Sequence, residues 1–163
     1  MSRILIFALS APLFASLAAS AGDDFRLEQG RPVTIVLADS SVPAEKTAAR
    51  ELKDYLAKLT GAKCEIVAEA QASKPAIFVG PTAFGEKSGI DCAKLGKEEW
   101  LLRATGGSLV VAGGRPRGTL YAAYEMLERL GVVWSDVDTE DVPPLAAQTL
   151  DWNLRGKPAL MNR

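Results

Sequence analysis

The feature that most constrains the fold is an alternation of short β-branched runs with amphipathic helical segments. Residues 33–37 and 64–68 are typical of buried strands, and a helical pattern lies between them. In that pattern, residues 43–60, apolar side chains recur at spacings of three and four, Pro43 suits the first turn and Gly61 suits the C-terminal cap. We therefore predict a strand, a helix and a second strand. The charged face of this helix, which we expect to be solvated, carries Glu45, Lys46, Arg50 and Lys53.

The second half of the chain repeats the alternation with one difference. Residues 76–79 suit a buried strand, and 82–98 predict a long loop with a helical turn. A glycine pair separates strand patterns at 99–104 and 108–112, which indicates an antiparallel hairpin. A second amphipathic helix follows from 119 to 130, and Val132, Val133 and Trp134 then suit a returning strand. The predicted fold class is α/β (α+β), a mostly antiparallel mixed sheet with two amphipathic helices packed on one face.

The chain ends indicate export and a domain boundary. Residues 1–21 contain an early Arg3, an apolar stretch and the small residues Ala19-Ser20-Ala21, the pattern of a secretory signal peptide. We therefore expect a secreted or periplasmic protein, with no membrane span after cleavage. Residues 22–145 form the predicted domain. Residues 146–163 are mostly irregular by pattern and suit a linker.

Composition excludes several classes of function. The 163 residues include 19 basic and 20 acidic side chains, which gives no positive footprint for nucleic acid. The chain has no histidine, so serine–histidine triads and histidine zinc sites are excluded. We expect no cofactor and no metal. Cys64 and Cys92 could form a disulfide in an exported protein, but Cys64 sits inside an apolar strand pattern, which favours the alternative of a buried, unbridged thiol.

Two arginines are candidates for an anion site. Residues 113–118 lead from a strand into a helix and resemble a phosphate-binding loop, but the lysine of that motif is missing. Arg115 and Arg117 could still hold a carboxylate or sulfate beside the helix N-terminus. The alternative, which we favour, is that an arginine pairs with a nearby acid and fixes the helix to the sheet.

Carboxylate pairs and a tryptophan are the remaining candidates. Glycoside hydrolysis needs two carboxyl groups, but none of the acidic groups in this sequence ends an apolar strand, so we read them as solvated. Trp134 is a candidate for stacking on a sugar ring. The acidic groups considered are Asp23-Asp24, Glu98-Glu99, Glu125-Glu128, and Asp136, Asp138, Glu140 and Asp141.

An ordered set of motifs resembles a known family. The segments AEKTAARELKDYLAKLTGAKCEI, AIFVGPT and VVAGGRPRGTLYAAYEMLERLGVVW, ending near DVPP, resemble the N-terminal domain of secreted glycoside hydrolases. The resemblance is strongest to the domain that precedes the barrel in family 67 α-glucuronidases, and more distant to domain two of β-hexosaminidases. It implies that the catalytic carboxylates lie on a (β/α)₈ barrel that follows this domain. The segment from Lys157 to Arg163 looks like the start of the first strand of such a barrel.

The predicted function follows from this resemblance. We expect a non-catalytic accessory domain that supports a catalytic barrel in the same polypeptide. The domain alone should be inactive, and the substrate of the whole enzyme should be a polysaccharide or oligosaccharide. The alternatives are a free-standing carbohydrate-binding or interaction module that uses Trp100, Trp134 or Trp152, and a small hydrolase. Accessory packing predicts an exposed apolar patch of several hundred Å². Sugar binding predicts an exposed tryptophan beside polar groups.

Overall fold

The structure contains ten strands and three helices in the part of the chain that it describes. The computed structural model describes residues 23–136 and 139–158. The strands are β1 Phe25–Glu28, β2 Val33–Leu37, β3 Cys64–Ala68, β4 Ile77–Val79, β5 Trp100–Thr105, β6 Ser108–Gly113, β7 Val133–Asp136, β8 Thr139–Asp141, β9 Ala147–Leu150 and β10 Asn153–Gly156. The helices are α1 Pro43–Thr60, α2 Ala83–Lys87 and α3 Gly118–Arg129.

Six strands form the main sheet, in the order β10-β5-β6-β4-β2-β3. The pairs β2–β3, β2–β4 and β4–β6 are parallel, whereas β5–β6 and β10–β5 are antiparallel. Two small antiparallel ladders, β1–β9 and β7–β8, complete the fold. Antiparallel pairings are therefore in the majority, and the predicted mixed α+β class is confirmed. The parallel pairings account for the uninterrupted apolar runs of β4 and β6, because such strands are buried on both faces.

The period-two alternation of the strands divides the core into two layers. Ile35, Ile77 and Leu109 face α1 and α3, which cover one side of the sheet together. Val36 and Phe78 face the other side, where the loop between β4 and β5 covers them. Within that loop, Phe84 of α2 stacks on Phe78, with ring centroids 4.2 Å apart. The prediction of two helices on one face is confirmed.

The C-terminal segment differs from the expectation. Residues 146–163 were expected to be irregular, but β9 pairs with β1 and β10 pairs with β5 at the edge of the main sheet. The returning strand expected at Val132 to Trp134 is confirmed as β7, which pairs with β8. The error for residues 146–163 has a physical cause: short strands without a strong apolar pattern form because a partner is present. The folded unit therefore continues to Gly156.

The local predictions for the helices agree with the structure. Helix α1 occupies residues 43–60 and ends at Gly61, whose φ of 66° is in the left-handed region that glycine adopts readily. The loop at 82–98 contains the expected helical turn, α2. None of the helices in residues 23–136 and 139–158 is long and apolar enough to cross a membrane. The predicted signal peptide, residues 1–21, lies outside the described residues.

Candidate functional site

Arg115 is held by a buried carboxylate at the carboxyl end of the parallel strands. Its Nε donates to Glu45 Oε1 at 3.0 Å and its Nη2 donates to Glu45 Oε2 at 3.3 Å. The Glu45 side chain is only 2% exposed, whereas the Arg115 side chain is 48% exposed. Glu45 Oε2 also accepts the N–H of Val42 at 2.9 Å, which caps α1. The expectation that Glu45 is solvated was therefore wrong, because its carboxylate caps the helix and pairs with Arg115.

Arg117 repeats this arrangement in the same loop. Its Nε donates to Glu98 Oε1 at 2.9 Å. The Glu98 side chain is 9% exposed, and the Arg117 side chain is 56% exposed. Glu98 has a φ of 63°, which is uncommon for a residue with a side chain. Arg115 and Arg117 thus each pair with a nearby acid, as the favoured alternative predicts. This pairing raises the pKa of each guanidinium. Anion binding by Arg115 and Arg117 stays a prediction.

A third pair joins the start of β5 to β10. Glu99 accepts the Arg155 guanidinium and, through Oε2, the N–H of Gly96 at 2.6 Å. The Arg155 bond, then the Gly96 bond, lower the pKa of the Glu99 carboxyl to about 2. A general acid needs the opposite shift. Because Trp100 is paired with both Gly113 and Gly156, the three pairs lie at one end of the sheet. We call Arg115, Arg117 and Arg155 the arginine face.

Three glycines allow the backbone segments at the arginine face to approach one another. A Cβ atom at Gly113 would lie 2.1 Å from the carbonyl carbon of Gly118, and one at Gly114 would lie 2.0 Å from the carbonyl oxygen of Gly96. A Cβ at Gly118 would lie 2.3 Å from the Glu99 carbonyl oxygen. The glycines that resemble a phosphate-binding loop thus have a packing role.

A cavity of about 420 Å³ lies beside the arginine face. The chain leaves β2 through α1 on one face of the sheet and leaves β4 through α2 on the other, so the cavity lies at a topological switch point. Burial, then the charge of Glu45, raises the pKa of the Cys92 thiol to about 11, so this thiol is a weak nucleophile. The cavity is lined by Ser40, Pro81, Glu86, Asp91, Cys92, Ala93, Leu95 and Arg115.

The two cysteines are free thiols. Cys64 is buried in β3, and Cys92 is partly buried beside the cavity. Burial also raises the pKa of the Cys64 thiol. The favoured alternative of a buried thiol is confirmed for Cys64, and no disulfide joins the two cysteines. The described residues also contain no group of histidine, cysteine and acidic side chains able to hold a metal ion.

Trp134 is part of an aromatic cluster on α1 and α3. Its Nε1 donates to Tyr55 Oη at 2.8 Å, and its ring lies edge-on to Tyr55 and Tyr124 with both centroid distances at 5.5 Å. Tyr55 Oη in turn donates to Glu140, which also pairs with Lys58. The cluster ties the β7–β8 hairpin to α1. Sugar stacking by Trp134, a prediction from sequence, gains no support from this packing.

The other groups of acidic candidates lie in different parts of the described structure. Glu125 pairs with Arg129 across one helical turn, as solvated helix pairs do. Asp23 and Asp24 line a second cavity, of about 500 Å³, together with Trp152. The side chains of Asp136 and Asp138 lie outside the described residues. Glu98 and Glu99 each have an arginine partner of their own.

The exposed surface differs from the expectation for a docking domain. Among residues 23–136 and 139–158, Val133 is the large hydrophobic side chain that is exposed, at 52%. This gives no support to the apolar patch of several hundred Å² that accessory packing predicts. Trp100, Trp134 and Trp152 are all partly buried against the helical side of the core. The arginine face, by contrast, presents guanidinium groups to solvent.

Comparison with known proteins gives the family. The sequence profile described as glycosyl hydrolase family 67 N-terminus matches residues 21–126. The chain belongs to this family. Among solved structures, it is similar to a family GH115 4-O-methyl-α-glucuronidase, BtGH115A, with specificity for decorated arabinogalactans. The TM-score is 0.63 and the sequence identity is 28%.

The structural match covers most of this chain but a small part of the enzyme that it resembles. The similarity to BtGH115A covers 81% of this chain but only 18% of that enzyme. A comparison with curated protein sequences gives no match. The predicted family, the N-terminal domain of α-glucuronidase-type glycoside hydrolases, is thus confirmed. Sequence reasoning missed Glu45 and Arg155; a glutamate three residues after the helix N-cap was the available signal for Glu45.

Proposed function

We propose that this protein is the non-catalytic N-terminal accessory domain of a secreted glycoside hydrolase, and that it packs against a catalytic domain in the same polypeptide. The observation that carries the proposal is the state of the buried carboxylates. Glu45, Glu98 and Glu99 each accept an arginine, and the pKa of Glu99 is lowered to about 2. Hydrolysis of a glycoside needs a carboxyl group that holds its proton near neutral pH.

The arginine face is the part of the surface best suited to contact the catalytic domain. Interfaces between domains of one chain are more polar than those of obligate dimers, and arginine is enriched at interfaces. Each guanidinium there is about half exposed and is held in place by a buried carboxylate. Strand β10 runs toward this face, and the chain continues from Gly156 to Lys157 beside it. A domain that follows β10 would begin next to these donors.

Secretion is part of the proposal. The N-terminal pattern of residues 1–21 supports it, and the match to the family begins at residue 21, next to the expected cleavage site. Extracellular or periplasmic polysaccharide would then be the substrate of the whole enzyme. N-terminal sequencing of the protein recovered from its native host tests this part, with Gly22 as the expected first residue. A mature protein that still begins at Met1 would overturn it.

Activity assays test the non-catalytic role. The purified chain should not hydrolyse an aryl α-glucuronide, whereas the polypeptide that includes the catalytic domain should do so. Turnover by the chain alone that disappears in a Glu98→Gln or Glu99→Gln variant would overturn the proposal. The DNA that follows codon 163 provides a second test, because we expect it to encode a (β/α)₈ domain.

Variants of the arginine face test the packing role. In the full-length polypeptide, Arg117→Ala should lower the melting temperature of the catalytic domain, whereas Arg26→Ala, which removes an exposed arginine, should not. The same two variants of the isolated chain measure the effect within this domain, and the interface effect is the difference. An equal effect of Arg117→Ala in both settings would contradict docking through this face.

A further inference from the structure

The second cavity lies at the end of the main sheet opposite the arginine face. It has a volume of about 500 Å³, which is within the range of small-molecule sites. Asn153 is paired with Arg103, near the turn of the β5–β6 hairpin, whereas Gly156 is paired with Trp100 at the arginine end. We call it the Trp152 cavity. Its lining consists of Asp23, Asp24, Ser88, Arg103, Ala104, Thr105, Asp151, Trp152 and Asn153.

The wall around Trp152 is held by the sheet. The carbonyl of Trp152 accepts the N–H of Ala104 at 2.7 Å, and Arg103 Nε donates to Asn153 Oδ1 at 3.1 Å. The Trp152 side chain is partly buried against the core and also lines the cavity. A site whose aromatic and polar groups are fixed by strand pairing loses little conformational entropy when it binds a ligand.

The chemistry of the lining suits a polyhydroxylated ring. An indole packs against the apolar C–H face of a sugar, and carboxylate and amide oxygens accept hydrogen bonds from its hydroxyl groups. Asp24, Asp151 and Asn153 provide such acceptors, and the Arg103 guanidinium provides donors. A tryptophan beside a set of planar polar groups is the arrangement expected of a site for a neutral sugar.

The charges of the lining decide between neutral and acidic sugars. Within residues 23–136 and 139–158, three aspartates, Asp23, Asp24 and Asp151, line the Trp152 cavity, and Arg103 is the one cationic side chain in its lining. A uronic acid would bring a fourth carboxylate into this site, where the negative charges of the three aspartates would repel it. The ligand that fits is therefore uncharged.

We propose that the Trp152 cavity is a binding site for a neutral pyranose unit of an oligosaccharide. The site lies away from the arginine face. If the catalytic domain docks at that face, as proposed above, the cavity stays open to a polysaccharide chain. The domain would then hold substrate near the catalytic domain. The binding claim itself does not depend on where that domain docks.

Nuclear magnetic resonance of the purified full chain tests the proposal directly. The chain has three tryptophans, hence three indole N–H signals that Trp→Phe variants assign. Titration with xylohexaose should shift the Trp152 signal with a Kd of about 1 mM, typical of a single shallow site. The Trp134 signal serves as an internal control, because its N–H is bonded to Tyr55. Galacturonic acid oligomers should cause at least a tenfold weaker response.

Variants of exposed residues keep the test independent of folding. Asp24→Ala and Asp151→Ala should each weaken xylohexaose binding about threefold or more. This change corresponds to a fraction of the free energy of one hydrogen bond to a charged group. Asp39→Ala, an exposed aspartate at the other end of the sheet, should leave it unchanged. No shift of the Trp152 signal with xylohexaose, equal shifts of all three indole signals, or tighter binding of the acidic oligomer would each overturn the proposal.

Discussion

Replacing Glu99 by glutamine tests whether the arginine face is stabilised by ionised carboxylates. The Glu99 side chain is 11% exposed and accepts both the Gly96 N–H and the Arg155 guanidinium. Glutamine keeps one carbonyl oxygen but turns an N–H₂ group toward one of these two donors. Because Glu99 joins the start of β5 to the edge strand β10, its loss should weaken the attachment of that strand.

The magnitude follows from the two bonds. A hydrogen bond to a charged acceptor contributes about 1.5 kcal/mol or more, and this applies to the partly buried bond from Gly96. The Arg155 side chain is 55% exposed, so solvent screening makes the contribution of its bond the smaller of the two. We expect Glu99→Gln to lower the free energy of unfolding by about 1.5 kcal/mol at pH 7, chiefly through the bond from Gly96.

The pH dependence has a definite sign. The pKa of Glu99 is lowered from its ordinary value of 4.5 to about 2 in the folded protein. A lowered carboxyl pKa stabilises the fold above the unfolded value, and that stabilisation is lost as the pH falls through the folded value. The difference between the parent chain and Glu99→Gln should be constant above pH 5 and should shrink between about pH 4.5 and pH 2.

Urea denaturation followed by circular dichroism at a series of pH values measures this difference. Glu86→Gln, at an exposed glutamate, is the matched control and should change stability by about 0.5 kcal/mol or less. The reasoning is refuted if Glu99→Gln is as stable as the parent at pH 7. It is also refuted if the difference is the same at pH 2.5 and pH 6.

Three further changes test the packing. Gly114→Ala would place a Cβ 2.0 Å from the Gly96 carbonyl oxygen, so we expect a loss of about 3 kcal/mol or more in urea denaturation. Arg115→Ala leaves the buried Glu45 carboxylate without its partner, and because the Arg115 side chain is 48% exposed we expect a screened loss of about 1.5 kcal/mol, whereas Arg129→Ala breaks a surface pair and should cost about 0.5 kcal/mol. A chain that ends at residue 145 lacks β9 and β10 and should lose its cooperative calorimetric transition.

Each of these changes has an outcome that contradicts its reasoning. Parent-like stability of Gly114→Ala would mean that the loop does not approach the Gly96 segment closely. Equal losses in Arg115→Ala and Arg129→Ala would mean that burial of the Glu45 carboxylate is unimportant. A sharp thermal transition in the shortened chain would show that the edge pairing of β10 is dispensable.

The sequence predicts those elements whose signals are local. Helix α1 carries its apolar period, Pro43 and Gly61 within its own span, and its predicted bounds agree with the structure. The turn at Gly106 and Gly107 is likewise predicted locally, because two adjacent glycines adopt the positive φ values that such a hairpin turn requires. Such elements need no knowledge of their neighbours.

The elements that sequence reasoning missed depend on distant partners. Strand β10 has only Leu154 as an apolar residue and forms at an edge because β5 offers backbone hydrogen bonds. Glu45 lies on the charged side of an amphipathic pattern, and its partner Arg115 is 70 positions away. The alternative of arginine–carboxylate pairing named the right interaction for both arginines. The periodic pattern of the sequence does not identify which glutamate pairs with each arginine.

The pairings at both chain ends have a consequence for how this domain would connect to an enzyme. The family match ends at residue 126, but β9 is bonded to β1 and β10 is bonded to β5, so the sheet is complete only at Gly156. The Glu99–Arg155 pair fixes the strand that leads to Lys157. Strand β10 is therefore held in the main sheet by its pairing with β5 and by this ion pair, instead of belonging to an irregular linker. If a catalytic domain follows, as proposed, the part of this domain that precedes it is a strand fixed by the sheet.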